Sequence, residues 1–279
     1  MTQEQRVALF YRPDNKKAVL WAKKIKSRLA SRRPAINLTD SNPKIVIVLG
    51  GDGTILEAAR RYERFRPIIV GLNLGKVGFL ASVRDTKQFL PSIKKFFDGR
   101  YHIAERSMLK ALVKRRGKTV FETNALNEMV LQNPLGMVEA EVEIEGYPMQ
   151  FIRGSGVLVS TSTGSTAYNL SAHGPIVTPD IKCFIVTELL DHNVPTPSLV
   201  IKDTKEIKLK VLWFRKRGLL AMRRNNTDAD TLLIGDGESI FPLAQGDVVA
   251  IKKSPHTIKF AELDPHYFFK SLQEKFAFR

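Results

Sequence analysis

Cysteine is almost missing from this chain. Cys183 is the only one in 279 residues, so no internal disulfide can form. Within Cys183-Phe184-Ile185-Val186 it reads as a small buried residue rather than a nucleophile. Long apolar runs are missing too. No stretch approaches the roughly 20 residues that a bilayer-spanning helix needs, so a membrane partner is not expected. The opening Met1-Thr2-Gln3-Glu4-Gln5-Arg6 is polar and leads straight into Val7-Ala8-Leu9-Phe10, without the apolar core or cleavage site of a signal peptide. These absences predict a cytoplasmic protein.

Acidic residues are scarce relative to basic ones: 28 against 44, a formal charge of +16. Such an excess suits a nucleic acid or a polyanionic small molecule such as a nucleotide or polyphosphate. Zinc-finger spacing and an RNA-recognition signature are both absent. The tightest basic clusters, Lys114-Arg115-Arg116-Gly117-Lys118 and Arg215-Lys216-Arg217-Gly218, contain glycine and lie between strand-like runs. They read as solvated hairpin turns, and nucleic acid is not expected as a partner.

The pattern changes near residue 100. Before it, strand and helix signals alternate: Val7-Ala8-Leu9-Phe10-Tyr11, an amphipathic helix over 15–30, and the β-branched run Lys44-Ile45-Val46-Ile47-Val48-Leu49. A helix over 54–62, the strand Pro67-Ile68-Ile69-Val70-Gly71 and a helix over 86–97 capped by Thr86 follow. In the first helix, Ala18, Leu20, Trp21, Ala22, Ile25 and Leu29 form the expected apolar face. This order predicts an α/β domain with a doubly wound parallel sheet over 1–100. Over 101–255 short period-two runs dominate, among them 139–145, 206–212, 219–222, 231–234 and 248–251. They predict an all-β, sandwich-like domain. Residues 265–272 look helical, and the segment 256–279 is expected to return to the first domain.

The chemistry begins at Gly50-Gly51-Asp52-Gly53-Thr54, after a buried strand and before a helix, where open α/β sheets bind ligands. Glycines let the backbone turn and approach a phosphate chain, and the helix start offers free amides. Asp52 could take a proton from an attacking hydroxyl, help hold a magnesium ion, or bond its own turn. The loop is not a Walker A motif, because no Gly-Lys-Thr or Gly-Lys-Ser follows. It also lacks the third glycine of a dinucleotide fingerprint, which disfavours an oxidoreductase.

The loop resembles the phosphate loop shared by NAD kinases, diacylglycerol and sphingosine kinases and, with Ser last, phosphofructokinases. Three further motifs resemble NAD kinases in particular: Gly71-Leu72-Asn73-Leu74-Gly75-Lys76-Val77-Gly78-Phe79-Leu80, Ala125-Leu126-Asn127-Glu128, and the long run from Val159 to Val177 containing Thr163-Gly164-Ser165-Thr166-Ala167-Tyr168. The likeness covers roughly residues 5–275.

The resemblance implies an enzyme that phosphorylates the adenosine ribose 2′-hydroxyl of NAD, with ATP or polyphosphate as donor and Mg²⁺ as cofactor, and that assembles as a homodimer or homotetramer. It implies Asp52 as the general base and Gly50, Gly51, Gly53 and Thr54 as phosphate ligands, supported by Asn73, Gly75, Gly78 and Phe79. Asn127 would meet the adenine edge, and Glu128 would accept from ribose hydroxyls as an acceptor-only carboxylate. Thr163, Ser165, Thr166, Ala167 and Tyr168 would line the NAD pocket. Asp236, in Gly235-Asp236-Gly237-Glu238, would orient Asp52 or the ribose, or else occupy a hairpin turn.

Three departures stand out. Gly154-Ser155-Gly156 replaces the family's Gly-Asp-Gly, whose aspartate is associated with the nicotinamide end. Ser162 stands where proline is usual, and 188–195, with His192, only partly resembles a Pro-His segment. Two other readings remain: a lipid kinase with the same phosphate loop, and a non-catalytic nucleotide-binding protein.

Overall fold

Ile45–Leu49 is buried at every position, as befits a parallel strand covered on both faces. The computed structural model describes residues 5–31, 36–192, 196–218, 220–222 and 227–276. The strands are β1 (Gln5–Tyr11), β2 (Ile36–Leu38), β3 (Ile45–Leu49), β4 (Ile68–Leu72), β5 (His102–Arg115), β6 (Lys118–Ala125), β7 (Glu128–Gln132), β8 (Val138–Ile144) and β9 (Tyr147–Gly154). They continue with β10 (Gly156–Thr161), β11 (Cys183–Leu189), β12 (Leu199–Lys202), β13 (Ile207–Phe214), β14 (Leu220–Met222), β15 (Thr227–Ala229), β16 (Thr231–Gly235), β17 (Ser239–Leu243) and β18 (Val248–Glu262). The α-helices are α1 (Lys16–Ala30), α2 (Asp52–Tyr62), α3 (Phe89–Phe97), α4 (Tyr168–Ser171) and α5 (Tyr267–Phe276). They form two units, residues 1–106 with 256–279, and residues 107–255. The first division thus falls six residues after the expected boundary, within the long β5.

In the first unit the strands run β2-β1-β3-β4-β18, each pair parallel. The buried stripe of α1, Ala18, Ala22, Ile25 and Leu29, packs with Phe89, Ile93 and Phe96 of α3 against Val7, Ile47 and Leu49. On the opposite face Tyr62 of α2 meets Phe10 edge-on at 6.2 Å. Helices on both faces make the sheet doubly wound. Leu20 departs from the expected stripe and is 54% exposed, because it lies about 200° around the helix from Ala18 and from Ala22. The cap at the third helix also differs. Asp85, not Thr86, accepts the Lys87 N–H at 2.9 Å and caps a single 3₁₀ turn, and α3 starts at Phe89, where Pro91 still falls in the first turn.

In the second unit β12-β11-β10-β7-β16-β17 form an antiparallel sheet. The antiparallel β9-β8-β13-β18 faces it across one core. Val138, Ala140 and Val142 on β8 and Ile207, Leu209 and Val211 on β13 interlock with Met129, Leu131, Val157 and Phe184, which makes a sandwich. Arg116 and Gly117, with φ of 50° and 79°, close the β5–β6 hairpin. Residues 215–218 are no hairpin: β13 pairs with β8 and β18, whereas β14 pairs with β15. β18 outruns the short strand read at 248–251. Its beginning pairs with β13 and its end with β4, and Pro255, which lacks a ladder donor, falls between the two pairings. Residues 1–4, 193–195 and Leu219, each included in a sequence reading, lie outside the described residues.

Asp247 ties the second unit at a buried corner. It is 1% exposed, and its carboxylate accepts Arg115 Nε at 2.9 Å, an Arg115 terminal nitrogen at 2.7 Å and Ala244 N–H at 2.8 Å. Replacing it, Asp247→Ala, removes the acceptor of the Arg115 Nε and Ala244 N–H groups and leaves the Arg115 terminal nitrogen only Pro242 O at 3.2 Å, and is expected to cost about 2 kcal/mol. Urea denaturation checks this, and an unchanged midpoint would show the pair to be dispensable.

Candidate active site

The first unit carries the phosphate-loop motif. β3 ends at Leu49 and α2 begins at Asp52, so Gly50 and Gly51 form the whole connection. None of Gly50, Gly51 and Gly53 has a positive φ, so a sharp left-handed turn is not why they are glycine. A Cβ on Gly50 would lie 2.5 Å from Thr54 Oγ1, whereas on Gly51 or Gly53 it would meet no protein atom within 4 Å. At those two positions the bare backbone leaves the α2 N-terminus open, the geometry that suits a phosphate.

Asp52 is the first residue of α2, yet its side chain turns back to the second motif. Oδ2 accepts the Phe79 N–H at 2.7 Å and Oδ1 accepts that of Leu80 at 3.2 Å. Gly78 makes room, since a Cβ there would stand 2.3 Å from Asp52 Oδ1. Asn73 shapes the same loop by accepting Gly75 N–H at 2.7 Å and donating to Lys76 O at 2.8 Å. Burial raises the Asp52 pKa, and the two amides and Lys275 work against that rise.

The sequence reading missed what α5 brings here. Lys275 Nζ lies 5.0 Å from the centre of the Phe79 ring, and Phe268 packs on the same ring at 5.7 Å. Arg84 binds Glu274 at 2.6 Å and covers the ring of Tyr267. The Tyr267 hydroxyl is pushed up to about 12, first by burial and then by the charge of Asp52. An amphipathic pattern was the only signal in the sequence, and it does not say what the helix covers.

The second unit carries the remaining motifs. Asp236 sits in the β16–β17 turn with φ of 49°, followed by Gly237 at 71°. It is indeed in a hairpin turn, but its carboxylate also accepts the N–H groups of Leu126 at 2.8 Å, Asn127 at 2.8 Å and Glu128 at 3.3 Å. Asp236 therefore fixes the Asn127-Glu128 segment. Glu128 is 7% exposed and its buried Oε2 has no hydrogen-bond partner among the described residues. Burial first, then the neighbouring Asp236, pushes its pKa up to about 8, against the pull of the Tyr168 N–H. Glu128 thus holds its proton well above the usual carboxylate range.

Thr163–Thr166 form one 3₁₀ turn leading into α4. Gly164 packs directly on Asn127, for a Cβ there would lie 2.2 Å from the Asn127 carbonyl oxygen. Thr163 Oγ1 is a second buried oxygen without a partner. Ser165 is fully buried, and its hydroxyl lies 2.7 Å from Ser162 O and accepts Val177 N–H at 3.1 Å, so its place is inside the loop. Thr166 is buried, Ala167 half-buried and Tyr168 exposed. Ser155 stands apart. It lies just before β10, about 20 Å along the strand from Thr161, and its backbone bonds Leu189 and Asn133.

Residues 2–101 match the ATP-NAD kinase N-terminal domain and residues 126–263 the ATP-NAD kinase C-terminal domain. The chain belongs to the NAD kinase family. It is 33% identical to the NAD kinase of Natranaerobius thermophilus over 234 residues, covering 83% of this chain and 77% of that one. To the NAD kinase of Acidobacterium capsulatum it is 34% identical over 244 residues, 87% and 81% of the two chains. The fold matches yeast NADH kinase complexed with NADH at a TM-score of 0.88 and 19% identity, covering all of this chain and 89% of that one. It also matches an Archaeoglobus fulgidus NAD kinase in complex with ATP at 0.74 and 22%, covering 96% and 98%. Nothing in these matches favours a lipid kinase.

Two expectations follow for an NAD kinase built this way. Lys275 lowers the Asp52 pKa, so with Asp52 as the base, Lys275→Met is expected to move the acid limb of the kcat/KM profile to higher pH. A uniform loss of rate with an unmoved limb would make Lys275 merely structural. Glu128 bears on stability. Its folded pKa of about 8 lies above the ordinary value of 4.5, so the folded state holds a proton that the unfolded state releases between those pH values. Stability is then lost as pH rises through that window, by about 1.4 kcal/mol per unit for this one group. Glu128→Gln flattens the slope, and melts across pH 5 to 8 measure it. Parallel wild-type and variant curves would refute the assignment.

Proposed function

We propose that this chain transfers the terminal phosphoryl group of ATP to the 2′-hydroxyl of the adenosine ribose of NAD, giving NADP and ADP. The observation that carries this reading is Asp52: a half-buried carboxylate at the first turn of α2, held by two main-chain amides and next to the open backbone of Gly51 and Gly53. Its raised pKa brings it closer to the range in which a carboxylate serves as a base near neutrality.

The 2′-oxygen attacks the γ-phosphorus in line as its proton passes to Asp52, and the bond to the ADP oxygen breaks. The α2 amides face the charge on the phosphoryl oxygens. Among the described residues no three acidic, His or Cys side chains gather as a metal cage. Mg²⁺, which the family resemblance implies, would enter with ATP and offset the charge on its phosphate oxygens. In the second unit the orphan oxygens of Glu128 and Thr163 and the exposed ring of Tyr168 supply polar and aromatic contacts for the dinucleotide, Asn127 contributing its amide. Polyphosphate as a second donor and a homodimer or homotetramer are inferred from the family resemblance alone, and a cytoplasmic setting from the sequence composition.

NADP formation from NAD and MgATP tests the reading beside Asp52→Asn. The variant is expected to lose on the order of 10²–10⁴ in kcat while retaining NAD binding. A wild-type protein that makes no NADP from either ATP or polyphosphate overturns the proposal.

A further inference from the structure

The second unit holds a cavity of about 400 Å³ that the proposed reaction does not use. Its lining includes Asn133, His192, Trp213, Arg215, Arg217 and Asp230. Asn133 lies one residue beyond β7, about 17 Å along that strand from Glu128 at its start. The basic cluster 215–218, which is no hairpin turn, forms part of the wall.

Local structure holds these groups in place. The register of β13 shifts between Val211 and Trp213, a bulge of the kind that re-aims a side chain, and Trp213 is 40% exposed. Asp230 is 8% exposed and accepts the N–H groups of Arg217 at 2.8 Å and Gly218 at 3.1 Å, which fixes the backbone that bears the two arginines. Asn133, 4% exposed, braces the facing loop by accepting Leu135 N–H and donating to Met137 O, both at 3.3 Å. Neither Arg215 nor Arg217 has an ion-pair partner among the described residues. Two guanidinium groups without an ion-pair partner among the described residues, beside Trp213 and the buried Asp230 carboxylate, are an uncommon set for a surface that only needs to be wet.

We propose that this cavity is a second nucleotide site, binding a free nucleoside monophosphate with its phosphate on Arg215 and Arg217 and its base against Trp213. Guanidinium forks match phosphate oxygens and stack with aromatic rings. The Asp230 carboxylate would repel a phosphate placed near it. It therefore orients the ligand, accepting from the amino or ring N–H groups of the base while the phosphate lies at the arginines. The volume falls in the range of small-molecule sites.

Trp213 is itself the reporter. The chain has two tryptophans, so Trp21→Phe leaves one. Titrating that protein with AMP is expected to change Trp213 emission saturably, with adenosine and ribose 5-phosphate each binding at least tenfold more weakly. Arg215→Ala with Arg217→Ala raises the AMP Kd by roughly tenfold or more. Asp52→Asn leaves that Kd where it was, and the double arginine variant still forms NADP, which shows that it is folded. The proposal is overturned if AMP gives no change up to about 10 mM, or if the double variant binds AMP as the parent does. It is also overturned if Asp52→Asn abolishes the signal, which would place the response at the catalytic loop. An oligoadenylate that binds far more tightly than AMP, with a steep salt dependence, would assign the cavity to nucleic acid instead.

Discussion

Asp52 is partly withdrawn from water and yet, as the proposed base, has to be charged, and these two demands conflict. A carboxylate taken out of water recovers its lost solvation only from dipoles fixed around it. Here Phe79 and Leu80 supply them as main-chain amides, with the Lys275 ammonium as a third, weaker influence. Much of the first unit follows from this. Residues 73–80 are bent so that two consecutive N–H groups point at one side chain, Asn73 holds the bend, and Gly78 keeps its own atoms out of the way. The segment that resembles a support for the phosphate loop therefore supports its aspartate.

The second unit uses the same device for a different end. Asp236 also lies against main-chain N–H groups, three of them, and thereby sets the path of residues 126–128. Glu128, next to it, receives far less, since one of its oxygens has no partner and the nearby charge is of its own sign. Two acidic residues in one turn-to-strand corner are thus driven apart, one committed to the backbone and one held protonated. A protonated Glu128 both donates and accepts, and a ribose hydroxyl asks for both.

The fold was largely legible because burial writes a period into a sequence. The run Ile45–Leu49 is apolar throughout, β8 alternates Glu with Val and Ala, and each pattern forms the element it implies. What escaped depends on registers and neighbours that no local window contains. β18 continues past Pro255 because its ends pair with different strands, and Leu20 is apolar on the wrong side of α1. At the site, Asp52 was conspicuous as an acid in a glycine loop. Lys275 and Tyr267 were not, because only the return of the chain to the first unit brings them near Asp52. The protonated state of Glu128 was equally hidden, since it depends on Asp236, more than a hundred residues away in the chain.

The glycines show why a motif is more informative than its residue types. Gly50, Gly78 and Gly164 are each hemmed in, against Thr54, Asp52 and the Asn127 carbonyl, so any side chain would displace a neighbour. Gly51 and Gly53 are the reverse: neither has a protein atom where a Cβ would go, and neither uses a backbone conformation closed to other residues. Packing alone would tolerate alanine at both. Two different demands therefore act within five residues, one from the folded chain at Gly50 and one from whatever approaches the α2 N-terminus at Gly51 and Gly53. Asp52 lies between the two open positions with its carboxylate turned inward, so its own charge is drawn away from the amides that a phosphate would approach. That separation lets an acid and a backbone open to an anion share one turn of helix.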